Sequence, residues 1–135
     1  MSQDYKYEEE QSWKMARELA WDVYGVTSRG GFERDHRVRD SVRRASFAIM
    51  ANVAEGIERG GTVEFVRYLG QAKDEIKELR LQLVAAQEKG YLSSASLTRI
   101  EASLAALGCV ISGLMTSINQ AFINSNSMSV NYQAG

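Results

Sequence analysis

The sequence predicts an all-α fold, an antiparallel four-helix bundle with up-down-up-down topology. Within residues 65–86, and again within residues 97–118, apolar residues recur at alternating steps of three and four. This spacing aligns apolar side chains along one seam of a helix, and a seam is buried only when helices pack together. The chain of 135 residues also lacks proline, which would interrupt a helix. The seam residues are Phe65, Leu69, Ala72, Ile76, Leu79, Leu83 and Ala86, then Leu97, Ile100, Leu104, Leu107, Ile111, Leu114 and Ile118.

Paired glycines bound the first two helices. The first is predicted from about residue 8 to 27 and the second from about residue 35 to 58. Gly30 and Gly31 separate them, and Gly60 and Gly61 end the second, because paired glycines disfavour helix continuation. The residues expected to face the core are Trp13, Ala16, Ala20, Val23 and Tyr24 in the first helix and Val38, Val42, Ala45, Ile49 and Val53 in the second.

Capping residues bound the last two helices. Thr62 is predicted to cap the third helix, which ends near Gly90 because glycine favours helix C-termini. Ser93 or Ser94 caps the fourth helix, which is predicted to end near Phe122. The loops between helices are only a few residues long, so helices adjacent in sequence should be antiparallel.

The chain is predicted to comprise one bundle domain over residues 1–123 and a disordered tail over residues 124–135. The tail is rich in Asn and Ser and has no apolar periodicity. A segment of this composition buries too little apolar surface to offset the entropy of ordering.

Composition excludes several classes of protein. The net charge of -1 excludes a globally basic nucleic-acid binder, although a local basic patch is still allowed. No apolar run approaches the roughly 20 residues that span a bilayer, so no membrane association is expected. The polar, acidic N-terminus is not expected to act as a secretory signal. Cys109 is the single cysteine; it is expected to be a small buried filler, and its lack of a disulfide partner fits the cytoplasm.

The sequence contains no motif that predicts a catalytic site. The single histidine, His36, excludes the paired Glu-x-x-His motifs of di-iron bundles, and with one cysteine it excludes the usual structural zinc sets. The glycine pairs follow helices and lack the spacing of phosphate-binding loops. The acidic residues of the third helix alternate with Lys and Arg, which is typical of a solvated face. We therefore expect no enzymatic activity and no cofactor.

A locally basic stretch on the second helix is the main candidate for binding. It contains Arg37, Arg39, Arg43 and Arg44, and guanidinium groups bind phosphates bidentately. These residues are candidate RNA-backbone contacts, with Arg59 and Arg67 as weaker ones. Alternatively, the arginines pair with acids on neighbouring helices or subunits. No aromatic-rich stacking platform accompanies the stretch, which argues against base-specific readout.

The end of the second helix carries a motif with an expected structural role. Asn52 lies near the apolar seam, so it needs a hydrogen-bond partner and is predicted to fix helix register. Glu55 and Arg59 are four apart, in the order that favours an ion pair. Gly56 costs about 1 kcal/mol in a helix interior, which suggests close approach of another helix.

The motif in the second helix resembles the sequence signature of a known protein family. The sequence Arg43-Arg44-Ala45, then Ile49, then the segment from Asn52 to Gly56 and Arg59, is similar to the signature of the four-helix bundle proteins also called 23S ribosomal RNA intervening sequence proteins. The likeness covers about residues 13–120.

The resemblance implies a four-helix bundle that assembles into a ring-like homopentamer. A more distant resemblance is to the accessory protein of diversity-generating retroelements, a basic pentamer that binds a reverse transcriptase and RNA. The chain departs from the family where Gly30-Gly31-Phe32 stands in place of the usual Phe-Pro.

Two functional hypotheses follow. The leading one is a non-enzymatic, homo-oligomeric bundle that acts as an RNA-associated or ribonucleoprotein accessory factor, with the arginines binding phosphate. The alternative is a protein-binding scaffold, for instance for a reverse transcriptase, that makes no direct contact with RNA and uses the arginines at subunit interfaces.

Overall fold

The fold consists of four helices and one short 3₁₀ turn. It is seen in a computed structural model that describes the backbone of residues 5–134 and the side chains of residues 5–126. No strand occurs in this part of the chain, so the predicted all-α class is confirmed. The helices are α1 (Lys6–Val26), α2 (His36–Arg59), α3 (Thr62–Glu88) and α4 (Ser94–Ala134), and the turn is Gly30–Glu33.

The helices surround one hydrophobic core. α2 packs against α1 and α3, and α4 packs against α3 and α1. The seams predicted for α3 and α4 are buried except for Ile76 and Leu97, which are half-buried at the edge of the core. The face predicted for α2 is also buried, apart from the half-buried Val38. Burial of apolar side chains in this core is the main stabilising contribution to the fold.

The face predicted for α1 is partly wrong. The buried apolar residues of α1 are Ala16, Leu19, Val23 and Val26, which again recur at steps of three and four. Tyr24 was expected in the core but is 54% exposed. α1 carries two adjacent apolar stripes, and the aliphatic one packs inward because its smaller side chains interdigitate with the other helices. The aromatic stripe consequently faces outward.

The helix ends agree with the predicted signals at Gly60 and Ser93 but not at Thr62 or at the end of α4. The Asp35 carboxylate accepts a hydrogen bond from the Val38 N–H at 3.3 Å, and the Ser93 hydroxyl accepts one from the Ser96 N–H at 3.0 Å. Gly60 has a φ of 73°, a left-handed conformation that favours glycine. Thr62 is not a cap, because Gly61 occupies that position and α3 begins at Thr62 itself.

α4 extends further than the sequence predicted. Its backbone is helical to Ala134, whereas the predicted end was near Phe122. Between Gly113 and the final residue the chain contains neither Gly nor Pro, so no strong stop signal ends the helix. Among the α4 side chains up to residue 126, the last buried one is Ile118. The division into a domain over residues 1–123 and a disordered tail stays a prediction, and the side chains after residue 126 lie outside the described part.

α4 is the most apolar helix. By length and composition alone, its segment over residues 94–126 is long and apolar enough to cross a membrane. Its inward face, however, supplies six core residues from Ile100 to Ile118, as expected for the core helix of a bundle. Cys109 is exposed, contrary to prediction. It lies two residues past Leu107 and therefore on the other side of the helix.

The close helix approach predicted at Gly56 is confirmed. A Cβ atom on Gly56 would lie 2.9 Å from Cδ1 of Phe65 and 3.2 Å from Cβ of Tyr68. The first turns of α3 therefore pack directly on the backbone of α2, and Gly56 is the residue that permits it. Gly70 provides a contrast, since a Cβ atom added there would have no neighbour within 4 Å.

We expect Gly56→Ala to destabilise the fold and Gly70→Ala to stabilise it. Both changes gain about 1 kcal/mol of helix propensity. Only the first meets Phe65 and Tyr68, and overpacking of this kind costs about 1–3 kcal/mol. Chemical denaturation measures the free energy of unfolding of each variant. Equal stabilisation by both alanines would contradict the packing at Gly56.

Candidate nucleic-acid interface

An open groove lies between α1 and α2 on the outside of the bundle. Its volume is about 960 Å³, well above the 360 Å³ and 330 Å³ of two other surface hollows. The helix spacing explains its composition, because residues three, four and seven apart share one face of each helix. The groove is lined by Trp13, Arg17, Ala20, Trp21 and Tyr24 of α1 and by Asp40, Arg43, Arg44, Ser46, Phe47 and Met50 of α2.

Aromatic side chains dominate the exposed surface of this groove. Trp21 is 70% exposed, Tyr24 is 54% exposed and Phe47 is 61% exposed. The expectation that no aromatic platform accompanies the arginines is therefore wrong. Sequence reasoning missed it because Tyr24 was assigned to the core, and because Trp21 and Phe47 belong to different helices whose relative position the pattern does not give.

Arg43 joins the two helices that form the groove. Its Nε donates a hydrogen bond to the Thr27 hydroxyl at 2.8 Å, and its Nη2 donates one to the Ser28 hydroxyl at 3.0 Å. The guanidinium carbon also lies 4.0 Å from the ring centroid of Tyr24. These contacts place a cation at the C-terminal end of α1, where the helix dipole favours positive charge. Arg43 therefore has a structural role whatever else it binds.

Two further arginines of the groove are exposed and free of carboxylate partners. Among the described residues, Arg17 and Arg44 make no ion pair and no hydrogen bond. Asp40, the one acid in the groove, is paired with Arg39 at 3.0 Å. The groove thus combines an aromatic floor with unpaired positive charge. Arg17 was not recognised from the sequence, because it belongs to α1 and lies far from the arginines of α2 in the chain.

Arg37, the remaining candidate phosphate contact in the first half of α2, does not line the α1–α2 groove. Arg37 is exposed and lines a separate hollow between α2 and α3, together with Glu78 and Lys89. The four arginines in the first half of α2 therefore do not form one stripe: Arg43 and Arg44 line the groove, and Arg39 pairs with Asp40 beside it.

Arg59 and Arg67 lie near the α2–α3 turn and are both paired with acids. Arg59 binds Glu55 at 3.0 Å, which confirms the predicted ion pair, and Arg67 binds Glu64 at 2.6 Å. Both guanidinium groups also lie over the ring of Tyr68, at 5.6 Å and 4.8 Å from its centroid. The hydrogen bond from Arg67 lowers the pKa of Glu64, so this carboxylate stays charged at neutral pH.

Asn52 has the hydrogen-bond partner that its position near the apolar seam was expected to require. Its side-chain amide donates a hydrogen bond to the Ala48 carbonyl of its own helix at 2.9 Å, and its side chain is half-buried. The polar group is thus satisfied within α2 rather than by a neighbouring helix.

A polar contact ties the start of α2 to the corner between α3 and α4. The Tyr91 hydroxyl donates a hydrogen bond to the Asp35 carboxylate at 2.7 Å. This bond lowers the pKa of Asp35 and raises the pKa of Tyr91. The Tyr91 ring packs edge-on against buried Phe32 at 5.4 Å and also covers Gly31, so the Gly30-Gly31-Phe32 loop is held in place by this corner.

Over residues 5–126, no three or more His, Cys, Asp or Glu side chains come together in a way that could hold a metal ion.

The geometry defines an all-α bundle with a basic and aromatic outer groove, and comparison with known proteins identifies its family. Residues 8–113 match the family model of the 23S rRNA-intervening sequence protein. Because this match covers most of the sequence, the chain belongs to that family. No match was found among curated proteins.

A solved structure shares the fold. It is a protein of unknown function from the S23 ribosomal protein family of Bacteroides thetaiotaomicron VPI-5482, with 14% sequence identity and a TM-score of 0.73. The similarity covers 81% of this chain and 98% of the other. At this identity the likeness supports the fold alone.

Arg43→Ala should lower stability, whereas Arg44→Ala should not. Loss of the hydrogen bonds to Thr27 and Ser28 is expected to cost about 1–2 kcal/mol after allowing for partial solvent exposure. Arg44 is exposed and unpaired, so its removal should change stability by no more than about 0.5 kcal/mol. Thermal unfolding followed by circular dichroism measures both, and equal effects would refute the distinction.

Proposed function

We propose that this protein is a non-enzymatic, cytoplasmic accessory factor that associates with RNA as a homo-oligomer. The observation that carries this proposal is the pair of exposed guanidinium groups of Arg17 and Arg44 on the groove between α1 and α2, which have no acidic partner within residues 5–126. Arginine presents a planar fork of N–H donors that matches phosphate oxygens. With a net charge of -1, the chain would bind RNA through this local patch and not over its whole surface.

Family membership supports the same proposal. The family description refers to sequences that intervene in 23S rRNA, and an association with RNA is consistent with that description.

The Arg17→Ala/Arg44→Ala double variant should bind RNA more weakly and with a smaller salt dependence. Each phosphate contact with a single strand contributes about 0.7 to the slope of log affinity against log salt, so two lost contacts should reduce its magnitude by about 1.4. Fluorescence anisotropy with a labelled RNA over a salt series measures this slope. Arg43 is left intact because its loss is expected to destabilise the fold.

A matched control is Lys73→Ala/Lys77→Ala on α3. It removes the same charge outside the groove and should leave the slope nearly unchanged. Equal RNA affinity of the wild type and the arginine variant at low salt would count decisively against the assignment, as would equal losses in both variants.

We infer an up-down-up-down arrangement from the short loops between helices, and assembly into a ring-like homopentamer as the family resemblance implies. Two contacts support the helix order: Tyr91 meets Asp35, joining the end of α3 to the start of α2, and Tyr5 packs on Phe65 at 6.4 Å, joining the starts of α1 and α3. The surface of α4 supports self-association, because no charged residue follows Glu101 in the sequence.

The exposed face of α4 is a candidate subunit interface. Phe122 and Ile123 are 43% and 55% exposed, and the exposed residues between Glu101 and Phe122 are uncharged and mostly small. Exposed surfaces without charge favour protein contacts.

Ala106→Arg, a charge placed on the exposed face of α4, should reduce the mass of the assembly. A buried unpaired arginine in an interface costs several kcal/mol. Ala51→Arg on the exposed face of α2 is the matched control and should leave the mass unchanged. Light scattering measures both masses. Disruption by Ala51→Arg alone would contradict assembly through α4.

The alternative is a protein-binding scaffold, such as an accessory subunit of a retroelement reverse transcriptase. The apolar lining of the α1–α2 groove is the observation that favours it. Under this alternative, removal of Arg17 and Arg44 would leave RNA affinity unchanged. A reverse-transcriptase gene beside this gene would favour the scaffold, and an interrupted ribosomal RNA gene would favour the RNA-associated role.

A further inference from the structure

The groove between α1 and α2 exposes a concentrated aromatic surface. Trp21, Tyr24 and Phe47 are each more than half exposed and all line the same groove. Contiguous exposed apolar surface on a folded domain usually marks a binding site. No packing among the described side chains of residues 5–126 covers this surface, so an external occupant is expected.

Charge around the groove indicates an anionic occupant. Arg17, Arg43 and Arg44 lie along it, and its one acid, Asp40, is already paired with Arg39. The local surplus of positive charge attracts anions and repels cations. Arg43 is in addition held in position by Thr27 and Ser28, so little side-chain entropy is lost when it meets a charged partner.

The side chains that line the groove are suited to flat ring systems. They include two Trp, one Tyr, one Phe and one Met, whereas Leu, Ile and Val do not contribute to the lining. Aromatic side chains stack on nucleobases regardless of sequence, since every base has a π face, and guanidinium planes also stack on bases. An acidic protein helix would match the charge of the groove but would not need so much planar surface.

We propose that this groove binds unpaired nucleotides of single-stranded RNA, with bases stacked on Trp21 and Phe47 and phosphates held by Arg17 and Arg44. This inference rests on the proposed RNA association and specifies its substrate class. In duplex RNA the base faces are already stacked inside the helix. A duplex would therefore meet the arginines alone and leave the aromatic floor uncovered.

The test compares a labelled single-stranded RNA with a duplex of the same sequence by fluorescence anisotropy. The wild-type protein should bind the single strand at least about tenfold more tightly. The Trp21→Ala/Phe47→Ala double variant should lose about tenfold or more in affinity for the single strand and should keep its affinity for the duplex. The Arg17→Ala/Arg44→Ala variant should lose affinity for both forms.

Two controls separate stacking from a structural role. Tyr7→Ala removes an aromatic side chain of α1 that is 72% exposed outside the groove, and it should bind as the wild type does. Trp21→Phe keeps an aromatic face and should retain most of the single-strand affinity.

The possible failures are distinguishable. If the aromatic double variant binds the single strand as tightly as the wild type while the arginine variant does not, RNA association stands and single-strand stacking is overturned. If the wild type binds neither RNA, both proposals fail. If light scattering shows that the aromatic double variant has dissociated, the groove is a subunit interface and the inference is overturned.

Discussion

The burial of one apolar seam from each helix in a shared core is the constraint on which the rest of the structure depends. Each helix has one face that must be hidden from water, and that requirement fixes which residues remain outside. In α1 the aliphatic seam through Leu19 and Val23 turns inward. The neighbouring stripe with Trp21 and Tyr24 then faces solvent. The exposed aromatic surface is thus a consequence of core packing.

The groove also depends on how the helices are joined. Arg43 of α2 connects to Thr27 and Ser28 at the end of α1, while Gly56 allows α3 to pack closely on the other side of α2. α2 is consequently packed between α1 and α3. Its outward residues, Arg44 and Phe47, therefore project from a helix whose position is fixed by both neighbours. A binding site on rigid helices loses less entropy when it engages a ligand than one on loops.

Much of the fold was predictable, because periodicity and capping are local properties of the sequence. The seams of α3 and α4 followed from apolar spacing, and the cap at Ser93 and the close approach at Gly56 followed from residue type. The orientation of α1 did not, since two apolar stripes compete there and only tertiary packing selects one.

The candidate site was less accessible to sequence reasoning. Arg43 and Arg44 were recognised, but Arg17, Trp21 and Phe47 were not, because the groove combines residues from two helices. Photochemical cross-linking of the wild-type protein to a single-stranded RNA, with the attached residues mapped by mass spectrometry, tests the proposed site most directly. Binding in the groove predicts attachment within residues 13–24 of α1 or residues 40–50 of α2. Attachment confined to α3 and α4 would contradict it.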